Sequence, residues 1–477
     1  GKSTQLPIYI LQHLCDNPHL GKAAIIQPRK IAAKALAERV CHELPPKLAR
    51  LVGSLSDPNV FANPEKKVVF MTDSQFIKEL ISNPKLEGYS VVVIDEAHER
   101  TTETDIILGT LKHRIVKTKE LTNIKTIVVS DSRNANKIAF YLSKPNELRI
   151  LGRAYPVLVK YQLPTYGIQD QVIDIANMVV KLLRYKKEIL SNEQQFRKEN
   201  PEINWDLRVF KGNMVVFVPS LQEMKRLKAL TKEEQQKEAD LPKMHKFEFV
   251  AIHSNMSYKK YLKIFENHNP NETTTIFLAT KLAESSIPFS DISMVIDAGF
   301  DKVSVYSPLK RIDEVRYLTI SKSSALQRFA IAGKTRPGIC YRIYSEDKYQ
   351  NSMREEENPE FLIQHIEKGV LMLKQLGFTK IGDCKFFIEK IPSRIIESSE
   401  ERLVGYKALT GTEKTITDVG SKMWKINLAP FFSKPLFKAL KFGVFHEVAK
   451  IVSILKYAST LYNVGEGEEM LKQKQTQ

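Results

Sequence analysis

The chain has 477 residues, with Lys+Arg 72 against Asp+Glu 55 for a formal charge of +17, and is 43% hydrophobic and 27% charged. That length accommodates about three or four domains of the usual ~100–200 residues. The balance is that of a globular protein, which disfavours a disordered polyelectrolyte, and no apolar run is long enough to span a bilayer. The excess of positive charge points to a polyanionic partner through long-range attraction and counterion release, with a merely basic surface as the alternative.

Four cysteines, Cys15, Cys41, Cys340 and Cys384, stand far apart with no CxxC pair, which indicates neither a zinc site nor a disulfide framework. A reducing, intracellular compartment is expected, with nucleus and cytoplasm not distinguished. The first residues are GKST, with no initiator Met and no signal-peptide pattern, so the chain reads as a piece of a longer protein.

In chain order, short β-branched apolar runs alternate with segments of helical period. AAIIQ, KVVFM, SVVVIDE and IKTIVVS come first, then MVVFVPS, FEFVAIHS, TTIFLAT and ISMVIDAG. Runs this short and unalternating suit strands buried on both faces, and helical connections between them imply parallel sheets. Two α/β domains in series follow, divided near LGRAYPV, where Gly152 and Pro156 interrupt the pattern. The polar stretch from Arg184 to Gly212 is expected to be a surface insertion. Beyond Pro359 the text turns helical, then gives a β-like piece, TEKTITDVG, and an amphipathic run, PLFKALKFGVFHEVAKIVSIL.

Two stretches carry chemistry. Gly1-Lys2-Ser3-Thr4 is the second half of a phosphate loop, in which backbone N–H groups wrap phosphates, Lys reaches their oxygens and Ser/Thr takes Mg²⁺. In SVVVIDEAHER, an apolar strand delivers Asp95 and Glu96 to its C-terminal end, where open α/β sheets bind ligands. A carboxylate there holds Mg²⁺ through water and its neighbour polarises an attacking water.

With these motifs the chain resembles the DEAH-box RNA helicases of superfamily 2 over nearly its whole length. QPRKIAAKALAERV is similar to motif Ia, MTDSQFIKEL to Ib, FLATKLAESSIPFSDISMVIDAGF to motif V and QRFAIAGKTRPGICYRIY to motif VI. The resemblance implies two tandem RecA-like domains with parallel sheets, at 1–150 (ATP-binding) and 151–350, a winged-helix domain at 351–428 and the start of a helical ratchet-like domain at 429–477. It implies ATP and Mg²⁺ as cofactors, and single-stranded RNA, bound without regard to sequence, as partner. An activating protein is left open and a membrane is not expected.

By position, the resemblance assigns the phosphates and Mg²⁺ to Gly1, Lys2, Ser3 and Thr4, with Ser3 and Asp95 at the metal. Glu96 orients the water, and His98 couples that site to the second domain. Arg39 and Phe265 sandwich the adenine, while Gln327 faces the terminal phosphate from across the cleft with Lys334 behind it. Arg29, Thr72, Asp73 and Thr280 match positions that touch the RNA backbone. On the residues alone, turn and cap roles for Thr72 and Asp73 and a solvated cation for Arg29 are the better readings. KVSVYSPLKRIDEVRYLTISK, two β-rich arms around a polar turn, matches the family's strand-separating hairpin, an ordinary surface hairpin being the alternative.

The departures cluster. The family's QRxGRxGR is QRFAIAGK here, with Ile331 and Lys334 where arginines reach the terminal phosphate. An arginine finger is worth about 10³–10⁵ in rate, or roughly 4–7 kcal/mol of barrier. Lysine offers only a point charge, and isoleucine none. Motif III reads Ser130-Asp131-Ser132, which is expected to set a like charge near the DEAH carboxylates. In motif V, Pro288, Ser290 and Asp291 depart from the usual residues, and Ser74 replaces a glycine. The resulting expectation is an RNA helicase with impaired hydrolysis, the alternatives being a non-hydrolysing RNA scaffold and a DNA-directed translocase.

Overall fold

The computed structural model describes residues 2–55, 65–143, 146–150, 155–167, 170–237, 245–253, 270–284, 287, 289, 291–307, 312–379, 381, 387–426 and 428–461. The first lobe is a five-stranded parallel sheet in the order β2-β3-β1-β4-β5, made of β1 Lys22–Gln27, β2 Val52–Ser54, β3 Val68–Thr72, β4 Tyr89–Ile94 and β5 Lys125–Val128. Helices α1 (Lys2–Asp16), α2 (Lys30–Glu43), α3 (Asp73–Ser82), α4 (Thr102–Lys112) and α5 (Ser132–Tyr141) connect and cover it. Its central strands are apolar on both faces because both are covered: Ile25, Phe70 and Val93 pack with α1 and α2, while Ile26, Met71 and Ile94 face α3 and α4.

The second lobe is a six-stranded parallel sheet ordered β6-β13-β10-β7-β9-β8. Its strands are β6 Val157–Tyr161, β7 Asn213–Phe217, β8 Phe247–Ile252, β9 Thr274–Ala279, β10 Ile292–Asp297 and β13 Gly338–Arg342. Helices α6 (Gln171–Glu199), α7 (Leu221–Lys237) and α8 (Lys322–Phe329) belong to it. Between β10 and α8, β11 (Phe300–Ser307) and β12 (Ile312–Thr319) pair antiparallel in unbroken register, so the expected hairpin is present; its turn lies outside the described residues. The interruption expected at Gly152 also lies outside them.

One expectation is revised. The polar stretch from Arg184 is no simple surface insertion: α6 runs through it with a kink at Asn192 (φ −156°, ψ 95°), and Phe196, Ile203, Leu207 and Phe210 close over the core of the second lobe. Widely spaced apolar residues do the burying, which composition averages away. The C-terminal amphipathic run is two helices, α12 (Pro430–Phe442) and α13 (Phe445–Leu461), parted at Gly443, whose φ of 70° ends a helix at little cost for glycine.

The helices after Pro359, including α9 (Glu367–Gln375), α10 (Ser393–Gly405) and α11 (Asp418–Ile426), share one hydrophobic cluster with the first lobe, where Ile106 and Leu108 join Val370, Leu373 and Trp424. The β-like piece forms a single antiparallel bridge, Leu409 to Ile416. An acidic strap at 354–360 reaches both lobes. Glu355 and Glu357 hold Lys322 (2.6 Å) and Lys281 (3.0 Å) of the second lobe, and Glu356 pairs with Lys137 of the first (2.9 Å). Glu360 accepts from the Thr102 backbone N–H at 2.8 Å. Among the described residues no helix is long and apolar enough to cross a membrane.

Candidate functional site

The two sheets meet along a cleft. On the first lobe, β4 ends at Ile94 and presents Asp95, which is 3% exposed. Its carboxylate is fixed on both sides: Oδ2 accepts from Gln27 Nε2 (2.7 Å), at the end of neighbouring β1, and Oδ1 accepts from the Glu96 backbone N–H (2.9 Å). The chain then turns through the left-handed region at Glu96 (φ 54°), unusual for a side chain with a Cβ, which sets Glu96 and His98 facing each other. His98 Nε2 lies 3.3 Å from Glu96 Oε2, while Nδ1 accepts from the Asp131 backbone N–H at 3.3 Å.

Asp131 caps α5, its Oδ1 accepting from the Asn134 N–H at 2.8 Å. Its Oδ2 crosses the cleft, where Gln327 Nε2 donates at 3.1 Å and Ser323 Oγ donates as well. Glu96, His98, Asp131 and Gln327 thus form one chain of polar contacts from the end of β4 to α8. The expected like-charge conflict at Asp131 is absent. Burial alone would raise its carboxyl, but the His98 ring, the Ser323 hydroxyl and the Asn134 donors outweigh that and lower it. Around this line Arg29, Glu99, Lys281 and Glu284 also border the cleft.

Behind α8 lies a buried ionic hub. Arg328, 1% exposed, donates to Glu284 (2.7 Å), Asp297 (2.8 Å) and Asp301 (2.7 Å), tying motif VI to motif V, to β10 and to the hairpin. Burial raises the Glu284 carboxyl, with the Arg328 charge opposing it. The partners stand 27 to 44 residues from Arg328 in sequence, so no local pattern announces the hub.

With this geometry in hand, comparison with known proteins is direct. Residues 201–330 match the family described as helicase conserved C-terminal domain. Over 96% of its length the chain superposes on the Escherichia coli DEAH/RHA helicase HrpB, with a TM-score of 0.74, 21% identity and 53% of that chain covered. A second E. coli structure, described as the DExH-box NTPase HrpB, gives a TM-score of 0.73 at 20% identity, with 96% and 51% of the two chains covered. The chain has the fold of a DEAH/RHA helicase. The matched C-terminal region agrees with that fold, and the two parallel sheets are the tandem RecA-like domains of that architecture. The chain spans about half the length of the structures it matches.

On this helicase fold the remaining sequence-derived residues are distributed unevenly. Ser3 and Thr4 sit half-buried on the first turn of α1; Gly1, the Lys2 side chain and Phe265 lie outside the described residues, as do Pro288 and Ser290. Arg39 projects from α2, 61% exposed at its side chain, and pairs with Glu43 at 2.6 Å. Lys334 is exposed beyond α8. Ile331 is 3% exposed and packs in the second lobe's core with Val215, Phe217 and Phe329, away from solvent. Asp291 is engaged by Arg336 through two bonds of 2.8 Å.

On the nucleic-acid side, Arg29 is held by Glu99 at 3.1 Å and is no free cation. Thr72 caps α3 through a capping box with Gln75, and Thr280 begins a short turn after β9. Asp73 is 4% exposed, and its carboxylate faces inward, accepting from Thr101 Oγ1 (2.9 Å) and Thr104 Oγ1 (2.6 Å). Burial pushes that carboxyl up to about 7, the two hydroxyl bonds opposing. Sequence reasoning missed Gln27, Arg328 and Ser323. Only Gln27 had a local signal, as the residue ending the strand beside the DEAH strand.

Proposed function

We propose that this chain is the nucleotide- and RNA-binding part of a DEAH-type helicase whose hydrolysis is slow. The observation that carries the reading is the line from Asp95 and Glu96 through His98 and Asp131 to Gln327, which sets the DEAH segment against motif VI across a cleft between two parallel sheets. In this reading Gly1, Lys2, Ser3 and Thr4 take the ATP phosphates and Asp95 holds the water shell of Mg²⁺. Among the described residues no three His, Cys, Asp or Glu converge as a metal cage. A hydrated Mg²⁺ shared between phosphates and one or two carboxylates requires none, and the oriented Asp95 fits it. The bound nucleotide supplies the phosphoryl group; Glu96, held by His98, orients water.

Arg39 and Phe265 sandwich the adenine, and Gln327 and Lys334 address the terminal phosphate. RNA lies along Arg29, Thr280, Thr72 and the first turn of α3, where the contact from Asp73 runs through its backbone N–H because its carboxylate faces inward. The chain divides as RecA-like at 1–150 and 151–350, winged-helix-like at 351–428 and ratchet-like from 429 to 477. Slow turnover follows from motif VI: of the two altered positions, Ile331 is committed to the apolar core and Lys334 offers a point charge in place of a fork. ATP consumption by the full-length protein, with and without single-stranded RNA, tests this. We expect RNA binding with turnover well below the usual range, and an RNA-stimulated rate of about 1–10³ s⁻¹ would refute it.

A second reading, a non-hydrolysing RNA scaffold, is favoured by the engagement of Gln327 with Asp131. It predicts an RNA affinity indifferent to ATP, and no turnover.

A further inference from the structure

Asp131 is the residue at which the cleft is joined. Its own lobe already occupies one carboxylate oxygen: Oδ1 accepts from the Asn134 N–H at 2.8 Å and from Asn134 Nδ2 at 3.0 Å, completing the cap of α5. Oδ2 is turned to the other lobe, where Gln327 Nε2 (3.1 Å) and Ser323 Oγ donate to it, and Asn134 Nδ2 extends the same contact to Ser323 Oγ at 3.3 Å. Behind it the Asp131 N–H is seated on His98 at 3.3 Å. Two donors of its own lobe, the Asn134 N–H and Asn134 Nδ2, which also reaches Oδ2 at 3.2 Å, and two side-chain donors of the other lobe therefore converge on a single charged group. Such bonds are shorter and stronger than neutral ones, and more so where water is displaced.

We propose that Asp131 is a positioning residue that latches the two RecA-like lobes together, its carboxylate supplying in the cleft the negative charge that draws α8 onto the first lobe. The inference does not depend on whether ATP is hydrolysed. An alanine, the residue the family resemblance gives at this position of motif III, offers no such group. The latch is distinct from the acidic strap at 354–360, which joins the lobes through other residues, Glu355, Glu356 and Glu357, the last of them at the cleft's border.

The cap and the latch are separable by side-chain length. Asp131→Ser keeps a good N-cap for α5 but is too short to reach Ser323 and Gln327. Ser323→Ala removes a donor from the opposite side without touching α5. The test is amide hydrogen exchange of the full chain without nucleotide, with the radius of gyration from solution scattering measured in parallel and folding checked by circular dichroism. We expect the amides of α8 to exchange at least about tenfold faster in Asp131→Ser, the factor that two hydrogen bonds to a charged group imply. Ser323→Ala moves in the same direction by less, α5 is unaffected in both variants, and the radius of gyration rises in Asp131→Ser. Unchanged α8 exchange and radius in a folded Asp131→Ser protein overturn the proposal, the strap then sufficing alone. Faster exchange confined to α5 overturns it equally, since it assigns Asp131 to capping.

Discussion

The two walls of the cleft are built from opposite materials. On the first lobe the DEAH segment keeps every ionisable residue the family resemblance called for, and each is oriented by a neighbour: Asp95 by Gln27, Glu96 by His98, His98 by the Asp131 N–H. On the second lobe motif VI keeps Gln327 and Arg328, but Ile331 has joined the core and Lys334 faces solvent. The difference separates charge that serves the cleft from charge that serves the fold. Arg328 is surrounded by three carboxylates on three other segments, so its loss would leave uncompensated charge in the interior whatever the protein does with nucleotide.

The widest gap between the walls should therefore appear in stability. Arg328→Met is expected to destabilise the second lobe by about 3–5 kcal/mol, the cost of stranding buried partners. Chemical denaturation followed by fluorescence reads this directly. Arg100→Met makes the matching cut in the first lobe, where Arg100, 2% exposed, holds Asp105 (2.8 Å) and Glu389. It should cost less, because Glu389 is half-exposed and keeps Lys137 as a partner. Equal losses in the two variants would mean that the hub around Arg328 is no more than another ion pair.

Next in size is Ile331→Arg. A chemist restoring the family's residue would expect activity to rise, but the position faces Val215, Phe217 and Phe329. A guanidinium there is overpacked and desolvated at once, for a loss of at least about 2 kcal/mol. We expect a lower melting temperature and no gain in ATP turnover. A stable variant with faster turnover would show that the loop after α8 re-aims its side chains, and would make the two walls more alike than the present packing allows.

The contrast extends to pH. In the first lobe, burial raises the Asp73 carboxyl from 3.8 to about 7. Its folded form holds a proton that the unfolded form has lost between those values, so its contribution is full below about 4 and disappears as pH rises through about 7. In the second lobe, Lys186 is fully buried in α6, donates to the Gly212 carbonyl at 2.8 Å, and is lowered from 10.5 to about 7 by burial, with Arg336 adding to it. There the unfolded form binds the extra proton, so stability is present above about 10.5 and lost as pH falls through about 7. One pKa unit is worth about 1.4 kcal/mol, so each group tilts its limb of the stability curve measurably. In melting curves from pH 4 to 10, Asp73→Asn should remove a fall in stability between about pH 4 and 7, and Lys186→Met should remove a rise above about pH 7. If either substitution changes the slope in the other window, or in the opposite sense, the assignment of windows to lobes is wrong.

Which parts of this were legible beforehand follows from how far apart the interacting residues lie. Eight strands announced themselves because each is a short apolar, β-branched run, most of them buried on both faces, and the hairpin did so through its paired arms. Strands β2, β6 and β13 did not stand out, since Val52–Ser54 is three residues long and the other two lie inside motif-like text with Tyr, Lys and Arg. The N-cap role of Asp131 was readable from Asp131 and Asn134 three residues on, yet its reach to Gln327, 196 residues away, was not. For that reason the charge looked like a conflict with Glu96, when it is satisfied by donors from both lobes. The sharing of one core by the first lobe and the C-terminal helices was hidden in the same way: Val370 and Trp424 look like the inner face of any amphipathic helix until the partner sheet is known.

The smallest expected effect is also the most discriminating for function. Lys334→Arg changes an exposed side chain beyond α8, so stability should move by no more than about 0.5 kcal/mol. What it alters is the donor geometry: a planar fork in place of a rotating ammonium at the altered motif VI position that lies outside the core. If the second wall is limited by the missing forks, RNA-stimulated turnover should rise in Lys334→Arg while Ile331→Arg stays flat, with a change in kcat and little in KM because the fork acts on charge that develops during transfer. A flat response in both variants places the limit instead on the side of the cleft that kept its residues, with Asp131 and its hold on Gln327 as the next group to remove.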